Sequence, residues 1–190
     1  VFEGRTTGTP IMIMVHNRDQ QPEAYVDIKD LFRPGHADYT YSHKYGIRDY
    51  RGSGRASGRE TVGRVAAGAV ARKLLAARGV SMVAFCRRAA GIECATIDLD
   101  EIERNVVRAA DPNAAKLIIE RILRARDEHD SIGGIVECRV NGLPAGLGDP
   151  VFDKLDADLA KAILSIGGTK GIEFGAGFKA ADMTGREHND

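Results

Sequence analysis

The stretch from residue 33 to residue 56 restricts this chain more than any other. It is rich in Gly, Arg, Tyr and His, and it shows neither a helical nor a strand period. A connection this long inside a compact domain is usually functional or disordered. Tyr39, Tyr41, Tyr45 and Tyr50 lie in it and argue against disorder, because disordered segments are poor in aromatics. Any fold for this chain must therefore hold an ordered, aperiodic loop in front of the strongly helical segment that follows.

The loop's charge says what it could bind. From Arg33 to Arg59 the cations are Arg33, Lys44, Arg48, Arg51, Arg55 and Arg59, with only Asp38 and Asp49 opposing them. Arginine offers fixed paired donors to phosphate or carboxylate. A helix beginning at Ser57 would add free amides and the positive end of its dipole. Gly52 and Gly54 would let the backbone approach a ligand. The same composition also suits a solvated basic loop paired with acidic surface groups, and local chemistry leaves both open. His36 has two readings as well: a proton-handling imidazole beside Arg33 that Asp38 orients, or a surface hydrogen-bonding residue. No His, Cys or Asp cluster has metal-ligand spacing, so no metal is expected. There is neither a GxSxG nucleophile motif nor a P-loop.

Around this loop the elements read as mixed. Ile11 to Val15 is a short apolar run typical of a buried strand. Tyr25, Ile28, Leu31 and Phe32 suggest a helical turn that ends before Pro34. Ser57 and Glu60 have capping-box spacing, and Val62, Val65, Ala66, Ala69, Val70 and Leu74 then repeat at helical spacing until Gly79. Val80 to Phe85 reads as a strand and residues 98–109 as a short helix. Asp111-Pro112 opens another helix with Pro at its first position. Ser131 to Val140 reads as a strand, and residues 152–164 as an amphipathic helix broken by Gly167 and Gly168. Ile172 to Phe174 and Phe178 to Ala181 read as strands. The expected class is α+β, with antiparallel sheet packed on helices.

Bulk properties bound the function. At 190 residues the chain is long enough to bury a core. Formal net charge is zero, which argues against a general nucleic-acid or anionic-membrane binder. No apolar run approaches the roughly 18–20 residues of a membrane span. Cys86, Cys94 and Cys138 lack CxxC spacing and fit reduced thiols in a cytoplasmic protein. The chain begins at Val1 without a signal-peptide pattern and stops at Asp190 without a cap, so it reads as a fragment.

Long continuous motifs carry a family resemblance. RPGHADYTY at 33–41, KYGIRDYRGSGR at 44–55, SGRET at 57–61 and RVAAG at 64–68 together resemble chorismate synthase. FEGRTTGT at 2–9, DSIGG at 130–134, PAGLGDPVFDK at 144–154 and KGIEFG at 170–175 extend the likeness over residues 1–190, most weakly between about 81 and 128. The resemblance implies a chorismate synthase-like sandwich of antiparallel sheets and helices, forming a single core domain over 1–190 that is incomplete at both ends. It implies a carbon–oxygen lyase of the shikimate pathway that supplies aromatic amino acid biosynthesis. The reaction would be 1,4-anti elimination of phosphate from 5-enolpyruvylshikimate 3-phosphate to give chorismate. Reduced FMN would be required, NADP is associated with the family, and the assembly would be a cytoplasmic homotetramer.

Residue by residue, His36 resembles one of the family's two catalytic histidines, the one that protonates reduced flavin. Arg33 and Arg59 resemble substrate-anion ligands. Arg55, Ala56 and Ser57 resemble an FMN-contacting turn, and Gly167 and Gly168 stand where a second such turn often carries Asn-Ala. Gly58 replaces a common Ala. The family's Gly-Glu-Ser-His motif, its N-terminal arginines and its C-terminal catalytic Asp are missing from these residues, so the chain alone is expected to be inactive. Two other classes compete: a flavin- or phosphometabolite-binding module without activity, and an RNA-binding loop protein stacking Tyr and Arg on bases.

Overall fold

The computed structural model describes residues 1–189. The chain divides into two compact units: residues 1–71 with 145–190, and residues 72–144.

The second unit is built on a three-stranded antiparallel sheet. Its central strand is β1 (Ser81–Ala89), flanked by β2 (Ile92–Glu93) and β3 (Gly134–Asn141). Phe85 faces Glu137 in the β1–β3 register, and the ladder slips between Cys86 and Arg88. The strand runs past the expected Phe85, because Ala90 and Gly91, both at positive φ, fold it back onto β2. The expected strand over 131–140 starts later, at Gly134.

Two helices here follow their sequence signals. The first, α2 (Thr61–Ala76), belongs to the first unit up to Ala71 and ends in this one. The Val80 amide donates to the Leu75 carbonyl and the Gly79 amide to that of Ala76. This paired closure needs a left-handed residue, and Gly79 supplies it at φ 80°. The other is α3 (Pro112–Asp127), opened by Asp111 and by proline at the first position. In contrast, residues 98–109 form only a short 3-10 turn at Leu99–Glu101. Asn105 accepts from the Ala109 amide and donates to the carbonyls of Glu101 and Ala109, which folds this stretch into a loop.

Every buried apolar side chain among the described residues lies between Val80 and Ile118. Ala114, Ala115 and Ile118 of α3 pack with Ala89, Cys94 and Ala109, and Phe85 packs with Ile102 and Ala110. Asp111 locks this core. One of its carboxylate oxygens accepts from the amides of Asn113 and Ala114, the other from those of Ala95 and Thr96. The Ala114 amide, followed by that of Thr96, holds this buried carboxyl down at about 2. Because the folded value lies below the unfolded one, the contribution is present above pH ~4 and is lost as pH falls toward 2. Asp111→Ala is expected to cost about 2–3 kcal/mol at pH 7, from the lost cap and the amides left bare. The gap to wild type should narrow below pH ~4, as read by urea unfolding at both pH values.

The first unit contains α1 (Asp38–Tyr45), most of α2, a two-stranded antiparallel ribbon of β4 (Gly148–Asp149) and β5 (Asp153–Lys154), α4 (Leu155–Leu164) and the short α5 (Gly185–His188). Helix α1 lies inside the segment expected to be aperiodic. Asp38 stands in its first turn and Gly46, left-handed, closes it. Residues 11–15 form no strand and are exposed, since an apolar run becomes a strand only beside a partner to hydrogen-bond with. The expected helical turn before Pro34 is shorter and earlier, a 3-10 turn at Pro22–Tyr25. Residues 172–174 are irregular rather than a strand, and Gly177–Asp182 forms a 3-10 turn. Helices and antiparallel sheets make the fold α+β.

Candidate active site

Among the described residues of the first unit, the only buried side chains are polar: Asp38 at 3% exposure and Ser53 at 7%. The aperiodic loop is organised around Asp38. Arg33 gives it three donors, Nε at 2.8 Å and the backbone amide at 3.1 Å to Oδ2, and Nη2 at 3.0 Å to Oδ1. His36 Nδ1 lies 3.0 Å from Oδ1, and Arg48 Nη1 lies 3.6 Å from the same oxygen. Arg33 Nη2 also donates to the Ser53 hydroxyl. Arg48 donates to the carbonyls of Lys29 and Leu31. The two guanidiniums rest against aromatic faces, Arg33 over Tyr25 at 5.5 Å and Arg48 over Phe32 at 5.7 Å.

Four donors within hydrogen-bond distance and a fifth cationic nitrogen close by fix the state of this buried carboxylate. Hydrogen bonding from Arg33 holds the Asp38 carboxyl well below the usual carboxylate range, and Asp38 in turn raises the Arg33 guanidinium. An ionised Asp38 can only accept. The proton of a neutral His36 therefore sits on Nδ1, leaving Nε2 free for chemistry. Arg33 Nη2 lies 3.4 Å from the same Nδ1, but both atoms are then donors and that approach is no hydrogen bond.

The turn after this cluster behaves differently from the capping box expected there. Ser57 accepts from the Arg59 amide at 3.2 Å, not from Glu60, and caps a 3-10 turn over Gly58–Glu60. Glu60 turns its carboxylate to Arg55 Nη1 at 3.1 and 3.3 Å instead of reaching back to the cap. Arg55 is highly exposed, so this pair is weak. Ala56 ends the 3-10 turn Gly54–Ala56, its amide donating to Ser53. Arg59 has no carboxylate partner among the described residues. Its Nη1 lies where a side chain on Gly52 would sit, 3.2 Å from the ideal Cβ position, and Gly52 has φ 111°. Glycine at 52 is thus what lets this guanidinium lie against the loop backbone.

Gly167 and Gly168 form an exposed turn after α4, with Gly168 at φ 88°. Arg64 of α2 reaches Ser165 just before it, Nε at 3.2 Å and Nη2 at 3.1 Å from Oγ, with Nη2 3.0 Å from the carbonyl. The sequence singled out His36, Arg33, Arg59, Asp38 and the two turns. It counted Arg48 only as one of the loop's cations and passed over Ser53 and Arg64, all three of which hold other parts in place; the left-handed setting of Ser53 between two glycines leaves a trace in the sequence.

Exposed guanidiniums on Arg55 and Arg59, the Ser57 hydroxyl and glycine-rich turns form a donor set suited to an anionic, planar cofactor such as FMN. Among the described residues no group of three or more His, Cys, Asp or Glu is placed to hold a metal ion, and no helix is long and apolar enough to cross a membrane. An open depression of about 290 Å³ in the second unit, lined by Arg121, Arg124 and Glu128 among others, contains none of these residues.

Comparison with known proteins agrees with the motifs. The family model for chorismate synthase matches residues 1–190. The chain is 57% identical over 190 residues to a chorismate synthase of Desulfosudis oleivorans, covering all of this chain and 54% of that protein. It is equally 57% identical to one from Roseiflexus castenholzii, covering 53% of it. A crystal structure of chorismate synthase superposes with a TM-score of 0.73 at 29% identity, over 81% of this chain and 51% of that one. The chain spans about half the length of the curated relatives it matches. On the family match along its whole length and these identities, the chain belongs to the chorismate synthase family.

Proposed function

We propose that this chain is the central part of a lyase that forms chorismate from 5-enolpyruvylshikimate 3-phosphate by 1,4-anti elimination of phosphate. In this reading residues 1–190 are one core domain, incomplete at both ends, of a cytoplasmic homotetramer. The observation that carries it is the pairing of His36 Nδ1 with ionised Asp38, 3.0 Å apart, in a loop whose Arg59 has no carboxylate partner among the described residues.

The chemistry that reduced FMN supplies when bound is transient electron donation to the allylic system, with no net redox change. The protein's own residues handle charge and protons. Asp38 holds the His36 ring, so that Nε2 carries a proton to or from the flavin edge. Arg59 offers its fork to a substrate anion. Arg33 has committed Nε and Nη2 to Asp38 and Ser53, leaving Nη1 and its charge for the same anion. Arg55, Ala56, Ser57, Gly167 and Gly168 are read as the two turns that contact FMN.

Anaerobic assay of the full-length protein with 5-enolpyruvylshikimate 3-phosphate and reduced FMN tests the reading, and absence of chorismate would overturn it. Arg59→Lys tests the anion site within it. Lysine keeps the charge and loses the planar fork, so KM is expected to rise about 10-fold, with a smaller change in FMN affinity. Unchanged KM with a lowered Tm would make Arg59 structural.

A further inference from the structure

The first unit is assembled from two chain segments, residues 1–71 and 145–190. Among the described residues, the hydrogen bonds from Arg64 to Ser165 are the only ones that join these segments, and no ion pair does so. The contact spans 101 positions in sequence. Each end is anchored locally. Arg64 lies in the first turn of α2, with Nη1 3.5 Å from the Glu60 carbonyl. Ser165 is the C-cap of α4, and its hydroxyl donates to the Ala162 carbonyl at 2.6 Å. The last carbonyls of a helix lack partners within it, so a guanidinium there satisfies one and opposes the negative end of the dipole. Two fork nitrogens on one residue's hydroxyl and carbonyl also set the angle of approach, which a single ammonium cannot do.

One proposed flavin turn, 55–57, lies on the first segment just before α2. The other, Gly167–Gly168, lies on the second segment just after Ser165. We infer that Arg64 is a positioning residue for the flavin site, holding the 167–168 turn in register with the 55–57 turn through Ser165. This rests on the reading above that both turns contact FMN. Arg64 itself touches neither cofactor nor substrate. Its contribution is to hold the two half-sites in register before binding, so that FMN does not have to order them.

The test uses the full-length protein with Arg64→Ala and Arg64→Lys, and reads equilibrium binding of oxidised FMN by flavin fluorescence. Tm without FMN and kcat at saturating FMN are measured alongside. In Arg64→Ala the FMN Kd is expected to rise about 10-fold, the scale of one lost charge-assisted hydrogen bond. Lysine should give an intermediate Kd, and kcat at saturating FMN should stay within about twofold of wild type. Should the alanine variant fail to fold, the lysine variant carries the same comparison. Unchanged FMN affinity with a lowered Tm would reduce Arg64 to a cap for α4 and overturn the inference. Wild type that binds no FMN would overturn the flavin reading itself, which is a separate result.

Discussion

His36→Ala in the full-length enzyme is expected to lower kcat by about 10²–10⁴-fold, the usual worth of a positioned general acid–base group, while FMN still binds. The reason is geometric. His36 is half-buried, and its Nδ1 is engaged by a carboxylate that stays ionised, so the ring has one orientation and one free nitrogen. Removing it leaves Asp38 with its arginine partners, and Arg33 and Arg48 still neutralise that carboxylate. The loop should therefore persist, and the loss should fall on turnover rather than on folding. Anaerobic single-turnover kinetics together with FMN titration would separate the two. A variant with near wild-type kcat would remove His36 from the chemistry. One that loses FMN binding and turnover together would make it a cofactor ligand.

The signals that could be read from sequence were those that act locally. Asp111-Pro112 states a helix start in two residues, and α3 begins where they place it. Gly79 states a helix end through one left-handed φ. The apolar repeat from Val62 to Leu74 gave α2, although Val62, Val65 and Leu74 remain at least half exposed in the structure. Signals that depend on a distant partner failed. Ile11 to Val15 has strand composition but no neighbour to pair with among the described residues. Residues 172–181 have the apolar content of strands, yet Gly175 and Gly177 both adopt positive φ and turn the chain. Helix α1 was hidden for the opposite reason: its tyrosines and histidine follow no apolar stripe, and its ends, Asp38 and Gly46, define it.

The candidate site divides in the same way. The Arg33–His36–Asp38 spacing already suggested an oriented imidazole, because residues three to five apart come within reach of one another when the chain turns. What spacing cannot tell is how a guanidinium divides its donors. Arg33 spends most of its fork on Asp38, whereas Arg59, in the 3-10 turn that leads into α2, has no carboxylate among the described residues to spend it on. Contacts such as Arg48 to the Lys29 and Leu31 carbonyls, or Arg64 to Ser165, join residues far apart in sequence and leave no local signature.

Asp38→Asn is expected to damage both folding and turnover, and for separable reasons. The carboxylate accepts from three Arg33 donors and from His36, with Arg48 close by. An asparagine of the same shape offers one acceptor oxygen and turns an NH₂ donor toward groups that are themselves donors. Breaking a buried charge cluster from one side costs about 3–5 kcal/mol, and Arg33 at about a quarter exposure places the loss near the lower figure. The stability term has a definite pH sign. Asp38 titrates below its unfolded value, so the wild-type advantage is present above pH ~4 and shrinks as the pH falls through the acid range. The effect on turnover does not follow that curve. With the one remaining acceptor oxygen claimed by the Arg33 donors and an NH₂ facing the ring, His36 loses what keeps its proton on Nδ1, and an imidazole in the wrong tautomer presents the wrong nitrogen, at a cost of about 10²-fold or more in kcat. Measured at pH 7 and well below the variant's Tm, kcat should fall by that factor, while KM moves by less than about 10-fold because Arg59 is untouched. If Asp38→Asn loses stability and keeps kcat, Asp38 only anchors the loop, and the assignment of His36 as an Asp-oriented proton carrier fails with it.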